Sequence, residues 1–300
     1  MGGYFWHPSR RADWALDMQN STSLAPGTTI AIVGAGRLGR VLTGALRAAG
    51  LEVVGPLRRE QSMPKADIAL LCVPDRAIPA VAFVARPHVR LIGHVSGATS
   101  LDDVDFCLHP LQTFTGDETP DVFQGIGAAV AGRTENDRAV AEQLARVLGA
   151  RPFAVDDAHR ASYHAAASFA SNFVLTVLDA AEQLASTAGI SPREARELLA
   201  PLVHRSVDNW ASTGAAAALT GPIARGDEST VARQREAAFA IGQADLFDAF
   251  AVATRAIASR TEDHARTSGE RTDAGRGPSV RSDIRPFSRQ TTTDPEEPPA

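Results

Sequence analysis

The chain has 300 residues, 44% of them hydrophobic, which is enough for about two globular domains with a sizeable core. Its net charge of −5 gives no reason to expect a nucleic-acid partner, and no apolar run approaches the roughly 18 residues of a membrane span. The two cysteines lie in strand-like runs without CxxC or Cys/His spacing, which predicts reduced core thiols in a cytoplasmic protein and no metal site.

The N-terminal stretch, residues 1–27, is polar and irregular, and this composition predicts a disordered extension. Met18 lies just upstream of the first strand-like run and is a candidate start of translation. Arg10 and Arg11 form a twin-arginine pair, but no apolar segment follows them, so we reject an export signal.

The first strand-like run, 28–33, breaks into Gly34-x-Gly36-x-x-Gly39 and is followed by a helical pattern over 37–49. Strand, glycine turn and helix in this order are typical of a dinucleotide-binding turn, whose helix N-terminus binds phosphate. A glycine-rich turn of some other α/β domain is the alternative. The residues of the turn predicted to bind the cofactor are Gly34, Ala35, Gly36, Arg37, Leu38 and Gly39.

The end of the second strand-like run, 51–55, indicates which cofactor is bound. NAD-binding turns place a carboxylate here for the ribose hydroxyl, whereas this chain has Arg58 and Arg59. Two guanidinium groups suit a 2′-phosphate, so we predict NADP(H), and Arg37 could also reach that phosphate. In the alternative interpretation these arginines are solvated and Glu60 binds the ribose.

Strand and helix patterns continue to alternate up to residue 156, which predicts a doubly wound, mostly parallel sheet over 28–156. Ligands of such sheets bind at the carboxyl ends of the strands. The further strands are predicted at 67–73, 90–95, 105–108, 126–131 and 152–155, and the further helices at 76–85 and 134–148.

Three of these strands end in residues that could carry function. Val73 and Pro74 end the third strand, where such loops flank the cofactor, and Ser96 and Gly97 follow the fourth strand near the nicotinamide end. Ordinary turn chemistry is the alternative for Ser96 and Gly97. His109 ends the fifth strand and could donate a proton to a developing alkoxide or orient a substrate carbonyl.

From residue 157 the pattern becomes helical throughout, which predicts an all-α second domain over 157–262 and a disordered, polar tail over 263–300. Pro201 should kink or break the second helix. The predicted helices are 157–188, 191–212, 228–241 and 243–260.

Polar side chains interrupt the first of these helices, which is otherwise rich in alanine. His164, Ser168 and Asn172 are spaced by four residues, so an unbroken helix would place them on one face. They form either a polar seam between helices or a catalytic face turned toward the nicotinamide. Arg225, in a turn-rich segment, is a candidate to pair with a substrate carboxylate.

With these residues in view, the chain resembles Rossmann-like proteins that carry a DUF2520 C-terminal domain. The resemblance covers about 28–260 and depends on the motifs G-A-G-R-L-G, H-V-S-G-A, L-H-P-L-Q-T-F, Y-H-A-A-A-S-F-A-S-N-F and L-T-G-P-I-A-R-G-D. It implies an α/β fold: an N-terminal Rossmann domain followed by an all-α domain of the 6-phosphogluconate-dehydrogenase C-terminal-like type, with homodimerisation through the helices.

The resemblance also implies a reaction, because some members of this group are regarded as alternative ketopantoate reductases. We therefore expect NADPH-dependent reduction of 2-dehydropantoate (ketopantoate) to pantoate. Related reductases use a Lys-x-x-x-Asn pair in which Asn172 would be the asparagine, but Ser168 stands where the lysine would be and Lys65 is the only lysine. His109 and His164 are therefore the candidate proton donors.

Two other functions are compatible with the sequence. One is reduction of an imine of the pyrroline-5-carboxylate type, for which a protein acid matters less because the imine is already protonated. The other is a non-catalytic NADP(H)-binding sensor or scaffold that keeps the fold without turnover.

Overall fold

The structure, a computed structural model, describes residues 24–273, with side chains described up to residue 260. The predicted disorder of residues 1–23, the proposed start at Met18 and the predicted tail from 274 onward lie outside the described residues. The chain divides into two compact units on either side of the Val177–Leu178 bond. Within the described part, no helix is both long enough and apolar enough to cross a membrane.

The first unit is built on a seven-stranded sheet with the strand order β2-β1-β3-β4-β5-β6-β7. All neighbouring strands are parallel except the β5–β6 pair, which is antiparallel. The predicted parallel-dominated sheet is therefore confirmed. The strands are β1 Thr29–Val33, β2 Glu52–Leu57, β3 Ala66–Leu71, β4 Val89–His94, β5 Phe106–Pro110, β6 Gly127–Gly132 and β7 Arg151–Ala154.

Helices cover both faces of this sheet, as the alternating pattern predicts. α1 and α3 contribute Leu42 and Leu144 to a core that contains Ile30 and Leu70 of the sheet. α2 packs with a second cluster on other strand residues, including Leu71. The helices of this unit are α1 Arg37–Ala48, α2 Ile78–Ala85, α3 Glu135–Val147 and α4 Arg160–Ala170.

Helix α5 crosses the division at Val177–Leu178, and the helices after it belong to the second unit, which is all-α in its described residues, as predicted. Helix α6 starts at the Ser191 N-cap, whose hydroxyl accepts a hydrogen bond from the Glu194 N–H at 3.3 Å, and α8 starts at the Asp227 N-cap. The helices are α5 Asn172–Thr187, α6 Pro192–Thr213, α7 Ala215–Ala218, α8 Glu228–Ala240 and α9 Ala244–Asp273.

Three details of the helical half differ from prediction. The helix expected over 157–188 is two helices, because Ser171, at φ −131° and ψ −77°, leaves the helical conformation. No glycine or proline marks this break. Helix α6 continues through Pro201 without a break, and α9 extends to Asp273, beyond the expected start of the tail. The predicted domain boundary at 156/157 stays a prediction, and α4 belongs to the first compact unit.

Candidate functional site

The glycine turn between β1 and α1 has the close packing that its sequence predicts. Gly34 has φ +115°, and a Cβ added there would overlap the carbonyl oxygen of Cys72. A Cβ on Gly39 would overlap the carbonyl oxygen of Gly34, so both positions need glycine. A Cβ on Gly36, by contrast, would meet nothing within 4 Å. The space above Gly36 is open, as a ligand approaching the backbone requires.

A cleft of about 470 Å³ opens beside this turn. One wall is apolar and includes Met63, Val81 and Val84, which suits the flat face of an adenine ring. The predicted cofactor residues that line the cleft are Gly34, Ala35, Gly36, Arg58, Arg59, Val73 and Pro74.

The other predicted cofactor residues lie at the start of α1. Leu38 packs against the core, so only its backbone could meet a ligand, whereas the side chain of Arg37 is exposed. Glu60, the alternative ribose partner, is exposed and does not line the cleft, although Gln61 does. This arrangement favours the arginines over Glu60 as the groups nearest the adenosine end of a cofactor.

A histidine–tyrosine pair lies at the carboxyl end of β5. The Nδ1 atom of His109 is 2.6 Å from the hydroxyl oxygen of Tyr163 on α4. The imidazole lies against Gly97, where an added Cβ would come within 2.9 Å of the ring, so the bare backbone at 97 makes room for it. Phe153 meets Tyr163 edge-on, with ring centroids 5.9 Å apart.

Burial controls the protonation of this pair. It lowers the pKa of His109 to about 4, with further lowering by His164, Arg160 and His94 and an opposing effect of Asp75. Burial also raises the pKa of Tyr163 to about 12. Both side chains are therefore neutral near pH 7 and hold one exchangeable proton each. His109 can release a proton only as a neutral N–H, not as an imidazolium.

A second histidine shapes the loop after β4. His94 is fully buried, and its Nδ1 accepts a hydrogen bond from the Ser96 N–H at 3.2 Å. Its Nε2–H therefore donates to the Ser100 carbonyl oxygen, 3.1 Å away, and burial lowers its pKa. The Ser96 hydroxyl oxygen accepts from the N–H groups of Ala98 and Thr99, which is ordinary turn chemistry.

The structure brings only part of the predicted polar face to His109. The ring of His164 stacks on that of His109, with centroids 6.3 Å apart and a 25° angle between planes. Ser168 is half-buried on α4, whereas Asn172 starts α5 beyond the break and is exposed. Arg225 lies in an exposed turn of the second unit.

Three residues near His109, namely Tyr163, His94 and Arg160, lie outside the set of site residues predicted from the sequence. Tyr163 is directly next to His164, and His94 is two residues before Ser96. Their closeness in sequence to predicted site residues could therefore have identified them. Arg160, which is 3% exposed and contacts Cys107 on the same strand as His109, had no such signal.

We expect the buried imidazole of His109 to make stability depend on pH. Its folded pKa lies below the value of about 6.5 in the unfolded chain, so as pH falls the unfolded chain binds the proton first. The free energy of unfolding should therefore decrease from about pH 6.5 to about pH 4, by on the order of 3 kcal/mol from this group. Urea unfolding at several pH values measures it.

The matched variants for this titration are His109→Gln, which removes the group, and His88→Gln, which changes an exposed histidine. The first should flatten the acid dependence and the second should keep it. An acid dependence unchanged by His109→Gln would show that this imidazole is not the group responsible.

Comparison with known proteins confirms the resemblance drawn from the motifs. Residues 126–257 match the family model described as a domain of unknown function, DUF2520. No curated protein matches the chain significantly.

Solved structures of similar fold include a "putative NADP oxidoreductase" from Bacteroides fragilis, at 20% identity and a TM-score of 0.65, covering 76% of this chain and 98% of that one. A second is protein TM1727 from Thermotoga maritima, at 21% identity and a TM-score of 0.63, covering 78% of this chain and 99% of that one. A third is pyrroline carboxylate reductase from Plasmodium falciparum with NADP bound, at 12% identity and a TM-score of 0.51, covering 77% of this chain and 98% of that one. These similarities establish the fold and confirm the predicted fold class.

Proposed function

We propose that the protein is an NADPH-dependent oxidoreductase that reduces the carbonyl group of a small 2-keto acid. The observation that carries the proposal is the neutral Tyr163–His109 pair, half-buried at the carboxyl edge of the sheet that also holds the glycine turn. Such a pair can pass a proton to a developing alkoxide. The two cysteines are free thiols, which supports a cytoplasmic location as part of the proposal.

The residues of the cleft fit NADP(H). The open space over Gly36 and the adjacent start of α1 would take the pyrophosphate, and Arg58 and Arg59 would pair with the 2′-phosphate. The "putative NADP oxidoreductase" from Bacteroides fragilis and the reductase with NADP bound share this fold, which supports the same choice.

NADPH, when bound, supplies a hydride to the carbonyl carbon. The chain's own task is to protonate the carbonyl oxygen, which becomes an alkoxide. Nδ1 of His109 faces Tyr163, and its Nε2 makes no hydrogen bond to the described part of the chain. As the Nε2–H proton moves to the alkoxide, the Tyr163 O–H proton moves to Nδ1. The imidazole stays neutral, and the phenolate regains a proton from solvent.

The direction of this transfer follows from relative acidity. An aliphatic alcohol is a weaker acid than a phenol, even one whose pKa is raised to about 12 as for Tyr163. The proton therefore moves downhill from the pair to the alkoxide. His164, stacked on His109, is the second candidate donor, as the sequence predicts.

For the substrate we propose 2-dehydropantoate, reduced to pantoate, which is what the resemblance of the sequence motifs to alternative ketopantoate reductases implies. Its carbonyl group would be held by Asn172 and the loop of Ser96 and Gly97. Arg225, in the second unit, stays the candidate from the sequence for pairing with a carboxylate. These four assignments rest on residue chemistry and on the family resemblance.

Reduction of an imine of the pyrroline-5-carboxylate type is a second candidate, favoured by one observation. The pKa of about 4 for His109 leaves no charged acid at this position near neutral pH, and a protonated imine needs none. A sensor or scaffold that binds NADP(H) without turnover is a third candidate, and the half-buried pair of proton donors, His109 and Tyr163, argues against it.

A substrate panel separates these candidates. Purified full-length protein with NADPH is tested against ketopantoate, pyrroline-5-carboxylate and other short 2-keto acids, following the loss of NADPH absorbance. We expect turnover of ketopantoate or another 2-keto acid. Turnover of pyrroline-5-carboxylate alone would establish the imine reductase, and binding of NADPH without any oxidation would establish the sensor.

We also propose that the protein is a homodimer through its all-α domain. Helix α6 exposes three large apolar side chains to solvent. The exposed fractions are 59% for Leu198, 63% for Leu202 and 59% for Trp210. Leu198 and Leu202 lie one helical turn apart on α6, and exposed apolar side chains that are neighbours in this way favour an interaction face.

Light scattering coupled to gel filtration should therefore give twice the chain mass. The double variant Leu202→Ser, Trp210→Ser should give a monomer, because polar side chains remove the apolar contact area. Phe83→Ser on α2, which changes an even more exposed aromatic side chain in the first unit, should stay dimeric. A monomeric wild-type protein at micromolar concentration would contradict the proposal.

A further inference from the structure

Two contacts join α4 to β5 inside the first unit. The Nη1–H of Arg160 donates to the Cys107 sulfur at 3.2 Å, and the Tyr163 hydroxyl lies 2.6 Å from Nδ1 of His109. Arg160 and Tyr163 are three residues apart and share a helix face, while Cys107 and His109 are two apart and share a strand face. The two contacts therefore lie side by side, and both depend on how α4 is placed on β5.

Arg160 is an unusual group to bury. It is 3% exposed, its Nε donates to a carboxylate oxygen of Asp157, and its Nη2 has no hydrogen-bond partner among the described residues. An unpaired N–H in the interior costs free energy, and a buried ion pair is weak support for stability. Folding stability alone therefore does not account for the guanidinium at this position.

The contacts of Cys107 extend the connection to the other side of the site. Its thiol donates to the Ser96 carbonyl oxygen at 3.3 Å while its sulfur accepts from Arg160. Asp157, the other partner of Arg160, accepts from the Leu101 N–H at 3.0 Å. Arg160 therefore connects the start of α4 with two other segments. Through Asp157 it is linked to the loop after β4, and through Cys107 to the strand that carries His109.

We propose that Arg160 is a positioning residue: its bonds to Asp157 and Cys107 fix α4 on β5 so that the Tyr163 hydroxyl meets His109. This role deepens the proposed function and rests on it for its catalytic meaning. The contacts that define it belong to the free protein, so it can be tested without a substrate.

The charge of Arg160 acts on the same pair. The groups that face His109 are Tyr163, His164 and Arg160 from α4, His94 from β4, and Asp75 from the loop after β3. Arg160 is the permanent cation of this set, and it disfavours a second positive charge on the imidazole. The neighbouring Cys107 thiol has a raised pKa and stays neutral, so it does not offset that charge.

The test is the titration of His109 followed by NMR in histidine-labelled full-length protein without substrate, with the signal assigned by His109→Gln. In the wild type the imidazole should stay neutral down to about pH 4. In Arg160→Met, which keeps the bulk and removes the charge, the midpoint should rise by a few tenths of a pH unit or more, because one of the charges that lower the pKa of His109 is gone. An unchanged midpoint in folded Arg160→Met would overturn the proposal.

A matched control and a second variant separate charge from position. Arg86→Met also removes an arginine paired to an aspartate, Asp105, but at a site where the arginine is 42% exposed, and it should leave the midpoint unchanged. Arg160→Lys keeps the charge but replaces the separate Nε and Nη1 donors, which bond Asp157 and Cys107, with a single nitrogen on a shorter reach. The midpoint should therefore stay low while kcat falls about 10-fold or more. Wild-type kcat in Arg160→Lys would contradict the positioning role.

The proposed function can fail separately. If wild-type protein turns over no substrate but Arg160→Met shifts the His109 midpoint, the coupling between Arg160 and the pair stands and only the proposed reaction is wrong. If turnover occurs and neither Arg160 variant changes the midpoint or kcat, the reaction stands and the positioning role is wrong.

Discussion

Replacing His109 with glutamine is expected to lower kcat for the 2-keto acid at least about 100-fold, the usual scale for loss of general acid catalysis. Glutamine keeps a hydrogen-bonding side chain of similar reach but cannot relay a proton from Tyr163 to the substrate oxygen. KM should change little, because proton transfer occurs after binding. Steady-state kinetics near pH 7 measure the effect, with the exposed His88→Gln as the control.

Steady-state kinetics of two further variants test which group supplies the proton. Tyr163→Phe keeps the ring that Phe153 contacts and removes the hydroxyl 2.6 Å from His109, so it should lose a large part of the same factor. His164→Gln tests the other candidate donor. If the variants of His109 and His164 both keep wild-type kcat, the proton does not come from this pair of histidines and the mechanism is wrong.

The second large effect concerns the choice of cofactor. The double variant Arg58→Ala, Arg59→Ala should weaken NADPH binding by at least about 100-fold and leave NADH binding nearly unchanged, since hydrogen bonds between charged groups contribute about 1.5–3 kcal/mol each. Calorimetric or fluorescence titration with both cofactors gives the ratio. Arg90→Ala, which removes an exposed arginine at the start of β4, should change neither affinity.

Two outcomes would count against the arginines. Equal losses for NADPH and NADH would mean that the change damages the cleft rather than the 2′-phosphate site. A protein that prefers NADH, and loses that preference in Glu60→Gln, would establish the alternative in which Glu60 holds the ribose.

Much of the first unit could be predicted because its signals are local. The runs at 28–33 and 126–131 are apolar and β-branched or small, and glycine or polar turns end them, so the strands β1 and β6 lie within a residue of their predicted bounds. The glycines at 34 and 39 could be assigned as well, since only a residue without a Cβ fits against a neighbouring carbonyl.

The break at Ser171 could not be predicted, because the segment has neither glycine nor proline and its alanines favour a continuous helix. The predicted face of His164, Ser168 and Asn172 depended on that continuity, and Asn172 instead begins a new helix. A pattern of four-residue spacing holds only as long as the helix does.

The charge state of His109 also could not be read from the sequence. It follows from burial and from the approach of Arg160 and His94, which come from separate elements that tertiary folding brings together. The prediction that His109 lies at a strand end is correct. The burial that keeps its imidazole neutral is a property of the fold, and so is its contact with Tyr163, which is 54 residues away in sequence.

The most direct test of the proposed reaction follows one hydrogen atom. Purified protein is incubated with ketopantoate and NADPH that carries deuterium at the reactive position of the nicotinamide, and the product is identified by mass spectrometry and NMR. The proposal predicts pantoate with deuterium on the carbon that was the carbonyl carbon. Absence of labelled pantoate, while pyrroline-5-carboxylate takes up the label under the same conditions, would contradict it.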